Sequence, residues 1–410
     1  MAGAIQLARG SSPNSPAAGN VTIWSPDFAQ TGPNGEVIGG RVIALDQNGG
    51  KILLNANDRI NYLRNGGFWF AQRQAPGAAT TYSNPNSRAI TADGWAISNA
   101  NPSVTYQRID TAAAIESGLQ SRFYGQFLQI TNTGKFVICQ TIEGTDSIAL
   151  RNRTVRFQVW MKGTTAATWR LGLLYLNASG TLDTIPATFV TAYGANSTDP
   201  TFGTNVSKII PATGQMLDNV STASNAFNCA VTTSWQRFSG VWGVPNDCKN
   251  LIAAIWSDSG VTATNGINIG QASLTDGYEI QDWSPLAYQL EFAKVRRFYQ
   301  KSFAVDIAPQ QNVGLSTGEL KGIAGKAGAV ANAGFVFGRF DTPLRVAGGT
   351  TLYNPAAANA LMRNATGAAD MGATSVTSNS VNDIMINATG VAATAVGDQV
   401  SIHFTSDAEL

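Results

Sequence analysis

Few side chains in this chain are equipped for chemistry. The single histidine is His403. It lies in Gln399-Val-Ser-Ile-His-Phe404, where alternation turns Val400, Ile402 and Phe404 inward and His403 to the polar side. A Ser-His-Asp arrangement would need a serine and an acid brought to it from elsewhere, so the expectation is an exposed polar residue near the terminus. One histidine and three scattered cysteines, Cys139, Cys229 and Cys248, supply no zinc set. The odd count without paired spacing argues against a disulfide framework; a bridge between Cys229 and Cys248 is possible but nothing in the sequence supports it, and Cys139 reads as a small buried apolar residue. Asp276, Glu279 and Asp282 form the tightest acidic group before the terminus. Glu279 and Asp282 are three apart, so on a strand they point to opposite faces, which disfavours a hydrolytic carboxylate pair. Solvated loop acids are the reading, with a structural calcium as the alternative. The glycine-rich stretch 322–334 lacks a phosphate-binding motif. No catalytic, cofactor-binding or metal site is assigned, and no enzyme is expected.

Aromatic rings are the better candidates for recognition, because the C–H face of a sugar stacks on an exposed ring. Trp69, Tyr82, Trp95 and Tyr193 lie in turn-rich segments. Trp160 falls opposite the apolar face of its strand. These five are the candidate glycan contacts, although core or interface is the commoner fate of such residues.

The elements that must position them are mostly strands. Charged residues make up only 13% of the 410 residues, and the net charge is +1. That balance gives no footprint for nucleic acid. The apolar share, 44%, is enough for a sizeable core. No apolar run is long enough for a membrane-spanning helix. The start, Met1-Ala-Gly-Ala-Ile5, lacks the pattern of a secretory leader.

Residues 1–59 read as a small hairpin module: Val21–Trp24 is a short strand, and Arg41–Leu45 and Lys51–Leu54 flank a turn at Asp46–Gly50. Residues 60–283 carry dense strand signals. Val155, Phe157, Val159 and Met161 share one face, and Trp169, Leu171, Leu173 and Tyr175 share another. With Phe136–Ile142, Trp235–Val241 and Leu251–Trp256, they suggest an antiparallel sandwich. Thr191–Asn225 is polar and irregular and reads as a long loop or an insertion between strands. Residues 304–410 form a looser C-terminal β region.

One amphipathic helix is expected over 284–303, with Ser284 as N-cap and Pro285 in its first turn. Its apolar face is Tyr288, Phe292, Val295 and Tyr299, and Arg296 and Arg297 lie on its basic face. These six residues are the expected inter-subunit contacts, with the helix joining the sandwich to the C-terminal region.

Several segments resemble bacteriophage tail-fibre proteins, in the order found there. Pro13–Trp24 with the Asp46–Leu54 hairpin is similar to their N-terminal modules. Asn61–Phe68 resembles the start of their jelly-roll domain, Thr233–Ser239 its tryptophan-bearing strand, and Ile269–Leu274 with Leu290–Phe303 its end and following helix. Phe340–Leu344, Tyr353–Pro355 and Thr405–Leu410 look like the family's tail. The resemblance covers most of the chain. It implies a mainly β protein with a jelly-roll sandwich akin to galactose-binding-like carbohydrate modules. It further implies a virion protein made in the host cytoplasm: a homotrimeric tail fibre or fibre adaptor, bound to other tail or head proteins and contributing to host attachment. The alternative is a lectin-like module that recognises host surface polysaccharide. A head or collar fibre and a polysaccharide depolymerase are the remaining options.

Overall fold

The computed structural model describes residues 60–83, 85–100, 103–112, 116–212, 217–222, 226–277, 283–314 and 318–410, together with the backbone of six short strands before residue 60. The chain is mainly β. Among the early strands, Ile43–Leu45 pairs antiparallel with Lys51–Leu53, as the hairpin signal requires. Thr22–Ser25 pairs with Ile43–Leu45 on its other edge. The turn at 46–50 lies outside the described residues.

Two antiparallel sheets face each other in the sandwich. One runs in the order Gln236–Gly243, Thr154–Gly163, Gly266–Asp276, Phe123–Gln129, Val104–Asp110, Thr80–Tyr82. The other is centred on Ala167–Leu176, Asn250–Ser257 and Phe136–Thr141. The chain crosses repeatedly between the sheets, the winding of a jelly roll. Period-two alternation builds the core. Val155, Phe157, Val159 and Met161 are fully buried and meet Trp169, Leu171, Leu173, Leu251 and Ile255 from the opposite sheet. Each such side chain contributes about 1.5–3 kcal/mol on leaving water.

Asn250–Ser257 does not alternate: every residue in it is buried. Its run Leu-Ile-Ala-Ala-Ile-Trp is that of a strand covered on both faces. The cover comes from Phe189 and Val190 together with residues of the stretch 191–225 that follows them. Phe189, Val190, Tyr193 and Phe202 pack over Cys139, Leu174, Ile252, Ala254 and Trp256. Gly172 is required beneath Trp256, since a Cβ there would come within 2.3 Å of the indole. Polar clamps hold the cover down. Lys135 Nζ donates to the carbonyls of Ala195 at 2.5 Å and Thr198 at 3.1 Å. Arg170 binds Asp199 at 2.6 Å and Asp258 at 2.7 Å.

The helix is shorter than its pattern. It spans Tyr288–Arg296, its N-cap is Ala287 with no side-chain cap bond, and Ser284 and Pro285 precede it. Tyr299–Lys301 is instead a strand, paired antiparallel with Thr405–Asp407. Tyr299 keeps helical spacing with Phe292 and Val295, yet aromatic residues suit strands equally, and an available edge supplies the backbone partners that decide between the two.

That edge belongs to Gln399–Asp407, the organising strand of the C-terminal sheet, which pairs also with Leu320–Ala324, Gly349–Tyr353 and Arg363–Asn364. Val400, Ile402 and Phe404 point into a second core with Val336, Ile384 and Ile386. The opposite face of this strand is covered as well, so His403 is fully buried rather than exposed. All three cysteines are buried and free, and Cys229 and Cys248 are not bridged.

Candidate functional site

The helix docks on the turn Asn65–Phe70. Asn65 adopts a left-handed conformation, φ 53°. Its side-chain amide donates to the carbonyls of Phe70 at 2.7 Å and Asp93 at 3.0 Å, and its Oδ1 accepts from the Phe70 amide at 3.0 Å. The Asn65 amide donates to the carboxylate of Glu291 on the helix. Burial pushes the Glu291 carboxyl up, against that bond and the nearby Lys294. The turn therefore presents Trp69 and Phe70 to the helix. Phe70 stacks on Phe292 with ring centroids 5.0 Å apart, and Trp69 stacks on Tyr288 at 6.0 Å with planes 25° apart.

The Trp69–Tyr288 pair lies at the surface of this seam: Trp69 is half-buried and Tyr288 is 47% exposed. Polar groups flank it. Arg108 donates to the Trp69 carbonyl and pairs with Asp306 at 3.0 Å. The Asp306 carboxylate is largely exposed. Burial, with the charge of Asp306, pushes the Tyr288 phenol up. Adjacent rings beside an accessible carboxylate, that of Asp306, can stack a pyranose face and bond its hydroxyls, with the largely buried Arg108 holding Asp306 in place. No single segment of sequence signals this site. Trp69 and Tyr288 fell into separate candidate groups, and Arg108 and Asp306 into none.

The other candidate contacts are placed elsewhere. Trp95 is fully buried, stacked on Phe68 at 5.2 Å, with its indole donating to the Asn65 carbonyl at 3.2 Å. It offers no face to a ligand, because its turn is folded into the core. Tyr193 is buried in the cover, with its hydroxyl 2.9 Å from that of Ser98. Tyr82 is half-buried, its hydroxyl accepts from Gln74 at 2.7 Å, and burial pushes the phenol up to about 12. Trp160 does face outward, half-buried, against Leu119, Tyr124 and Trp235. In that cluster Glu116 accepts from Lys162, from the Trp235 indole at 2.8 Å and from the Tyr124 hydroxyl at 3.0 Å. Desolvation raises the Glu116 carboxyl, but those three donors outweigh it and hold the group below its ordinary range. A carboxylate so held is a poor proton donor.

The helix residues expected to meet a neighbouring subunit are mostly used within the chain. Val295 and Tyr299 are buried. Phe292 packs on Phe70. Arg297 forms a two-pronged bond to Glu143 at 2.7 and 3.1 Å, and Arg296 pairs with Asp341 at 2.5 Å. Among the six, Tyr288 and the side chain of Arg297 keep a substantial free surface. Beyond the helix, an open cleft of about 370 Å³ sets Arg64, Lys294 and Arg297 opposite Glu143 and Asp146.

The remaining chemical candidates are structural. His403 Nδ1 lies 2.9 Å from Ser302 Oγ, and its ring stacks on Phe303 at 4.1 Å. The pair is half of a nucleophile-base arrangement, but the imidazole has no open face for a substrate. Asp276 is bound to Arg153 at 2.7 Å, while Glu279 and Asp282 lie outside the described residues. Among the described residues no three acidic, histidine or cysteine side chains cluster as a metal site would.

No family model and no curated protein matches this chain. Solved structures similar to it include the enzymatically active domain of bacteriophage CBA120 tailspike protein 4, 14% identical over 53% of this chain, with a TM-score of 0.32. The chain spans only 22% of that tailspike's length. A putative sugar-binding protein from Bacteroides thetaiotaomicron is 13% identical over 53% of this chain and all of its own, with a TM-score of 0.30. A xylan-binding domain of carbohydrate-binding module family 22 is 12% identical over 50% of this chain, with a TM-score of 0.28, and is covered in full.

Proposed function

We propose that this chain is a structural protein of a tailed-bacteriophage virion, a tail fibre or fibre adaptor that assembles as a homotrimer and contributes to host attachment. Host surface polysaccharide is the partner proposed for the Trp69–Tyr288 seam, and other tail or head proteins are the partners within the particle. The observation that carries the attachment role is the seam itself: two stacked rings at the surface, with Arg108 and Asp306 beside them, on a scaffold whose described carboxylates are largely engaged in ion pairs. The tail-fibre resemblance of the ordered segments supports the virion setting.

Adsorption of the purified chain to host cells, with and without added host polysaccharide, tests the attachment role. Saturable binding that the polysaccharide competes away is expected. No binding to cells and none to polysaccharide removes the attachment role. Mass spectrometry of purified particles tests the virion assignment separately, since a chain absent from particles is not a virion component.

A further inference from the structure

A buried cation ties together the two sides of the Trp69–Tyr288 seam. Lys301 ends the strand Tyr299–Lys301, opposite Thr405 of the last strand, and its side chain is buried. Its ammonium donates to three backbone carbonyls, those of Gln72 at 2.8 Å, Val305 at 2.8 Å and Ile307 at 2.7 Å. An ammonium has three donors and no acceptor, so its capacity is filled. Gln72 comes three residues after Trp69 and is itself anchored, its side-chain amide donating to Asp93 at 3.0 Å. Val305 and Ile307 stand on either side of Asp306, in a turn closed by the Ile307 amide on the Ala304 carbonyl at 3.1 Å. One side chain thus fixes the backbone on both sides of Asp306 and joins it to the segment that carries Trp69. The Asp306 carboxylate, 63% exposed, is the polar group so presented, with Arg108 bonding one of its oxygens at 3.0 Å.

The clamp depends on one proton. Burial pushes the Lys301 ammonium down to about 8, against the charges of Asp93 and Asp306, while Arg108 and Arg73 add to the fall. Asp93, Arg73 and Arg108 face it from the sandwich and Asp306 from the turn. Asp407, on the strand paired with that of Lys301, is bound to Arg73 at 2.8 Å. A neutral amine keeps two N–H donors and gains a lone pair, so one of the three carbonyls loses its bond and faces that lone pair. Ala304, Asp306 and Ile307 are exposed, so the turn is the side of the clamp with room to move.

We infer that Lys301 is the positioning residue of the seam: by bonding the carbonyls of Gln72, Val305 and Ile307 it sets Asp306 beside the Trp69–Tyr288 rings, and polysaccharide binding weakens when that ammonium gives up its proton. This rests on the seam being a polysaccharide site and adds the regulation of that site by alkaline pH.

Isothermal titration of polysaccharide purified from the host surface into the full chain, between about pH 6.5 and about pH 9.5, tests it. The wild type is expected to bind roughly 3- to 10-fold more weakly at the alkaline end, the contribution of one lost hydrogen bond, with the fall centred at about 8. The melting curve should be the same at both ends, which separates release of the clamp from unfolding. Lys301→Met should bind at the weaker level throughout. Asp306→Ala, a change at an exposed side chain, should bind weakly and show no fall with pH, and with the wild type it decides the matter even if Lys301→Met does not fold. A wild type that binds equally at both ends, or a fall that persists in Asp306→Ala, overturns the positioning role and leaves the seam as a binding site. A wild type that binds at no pH removes the seam and this inference together.

Discussion

Arg64 and Glu409 stand 345 residues apart in sequence and meet at 2.7 Å inside the protein. Both side chains are almost wholly out of water. The other Glu409 oxygen accepts from the Gly94 amide at 3.0 Å and lies 3.7 Å from Arg73, which also binds Asp93 at 3.1 Å and Asp407 at 2.8 Å. Arg64 lies over Phe298 at 3.7 Å and Arg73 over Tyr299 at 3.8 Å. The last strand is thereby fastened to the sandwich by charge, and the two β units are joined by a buried network as well as by the helix.

Removing one partner of such a pair leaves the other buried and uncompensated, which costs about 3–5 kcal/mol. Desolvation raises the Glu409 carboxyl, but the two arginines outweigh it and hold it ionised, below its ordinary range. Glu409→Gln is therefore expected to destabilise the protein by about 3 kcal/mol. Urea unfolding measures it, and a midpoint within error of the wild type would show that the network contributes nothing. The double change Arg64→Met with Glu409→Gln should recover part of the loss, because no lone charge then remains.

Asn65→Ala tests the turn that presents Trp69. It removes three hydrogen bonds and puts alanine at a left-handed φ, so a loss of about 2–4 kcal/mol follows. Asn65→Gly keeps the backbone freedom and loses only the bonds, so it should fall between the two. Equal stability of the alanine and glycine variants would mean that backbone strain plays no part.

His403 gives the protein an acid-sensitive term. Burial lowers its pKa, against the charge of Glu319 and a backbone bond at Gly314. The imidazole is neutral in the fold, so its contribution is intact above the unfolded pKa of about 6.5. As pH falls below that value the unfolded chain takes up a proton that the fold refuses, and stability declines until the folded pKa is passed. His403→Gln, compared with wild type by urea unfolding between about pH 7 and pH 5, should show a flatter loss. Parallel curves would mean that His403 is not the group responsible. Acidic groups common to both proteins cancel in that comparison.

The parts read correctly from sequence are those set by local period. Val155–Met161 and Val400–Phe404 announce their buried faces because alternation is a property of adjacent residues. The readings that failed depend on partners far away in the chain. Tyr299 fits a helix until Thr405–Asp407 supplies an edge. His403 looks solvent-facing until Phe303 stacks on it. Thr191–Asn225 looks like a polar loop because the strands it covers, around Cys139, Leu174 and Trp256, lie elsewhere in the chain. Trp69 and Tyr288 were both visible as aromatics, but their pairing is made by the fold of the Asn65 turn.

The seam and the outer tryptophan cluster make opposite predictions for polysaccharide binding. Tyr288 is nearly half exposed, so Tyr288→Ala removes ring surface available to a ligand and little of the core. A stacked aromatic contributes about 0.5–1.5 kcal/mol beyond its buried area. Affinity for host polysaccharide should therefore fall by roughly 3- to 10-fold, with the urea midpoint little changed. Trp160 packs on Leu119, Tyr124 and Trp235, so Trp160→Ala should lower stability and leave affinity as it was. Isothermal titration of both variants decides between them. If Trp160→Ala weakens binding while Tyr288→Ala does not, the ligand lies on the open sheet face, where Glu116 and Lys162 would be its polar partners, and the seam is packing alone.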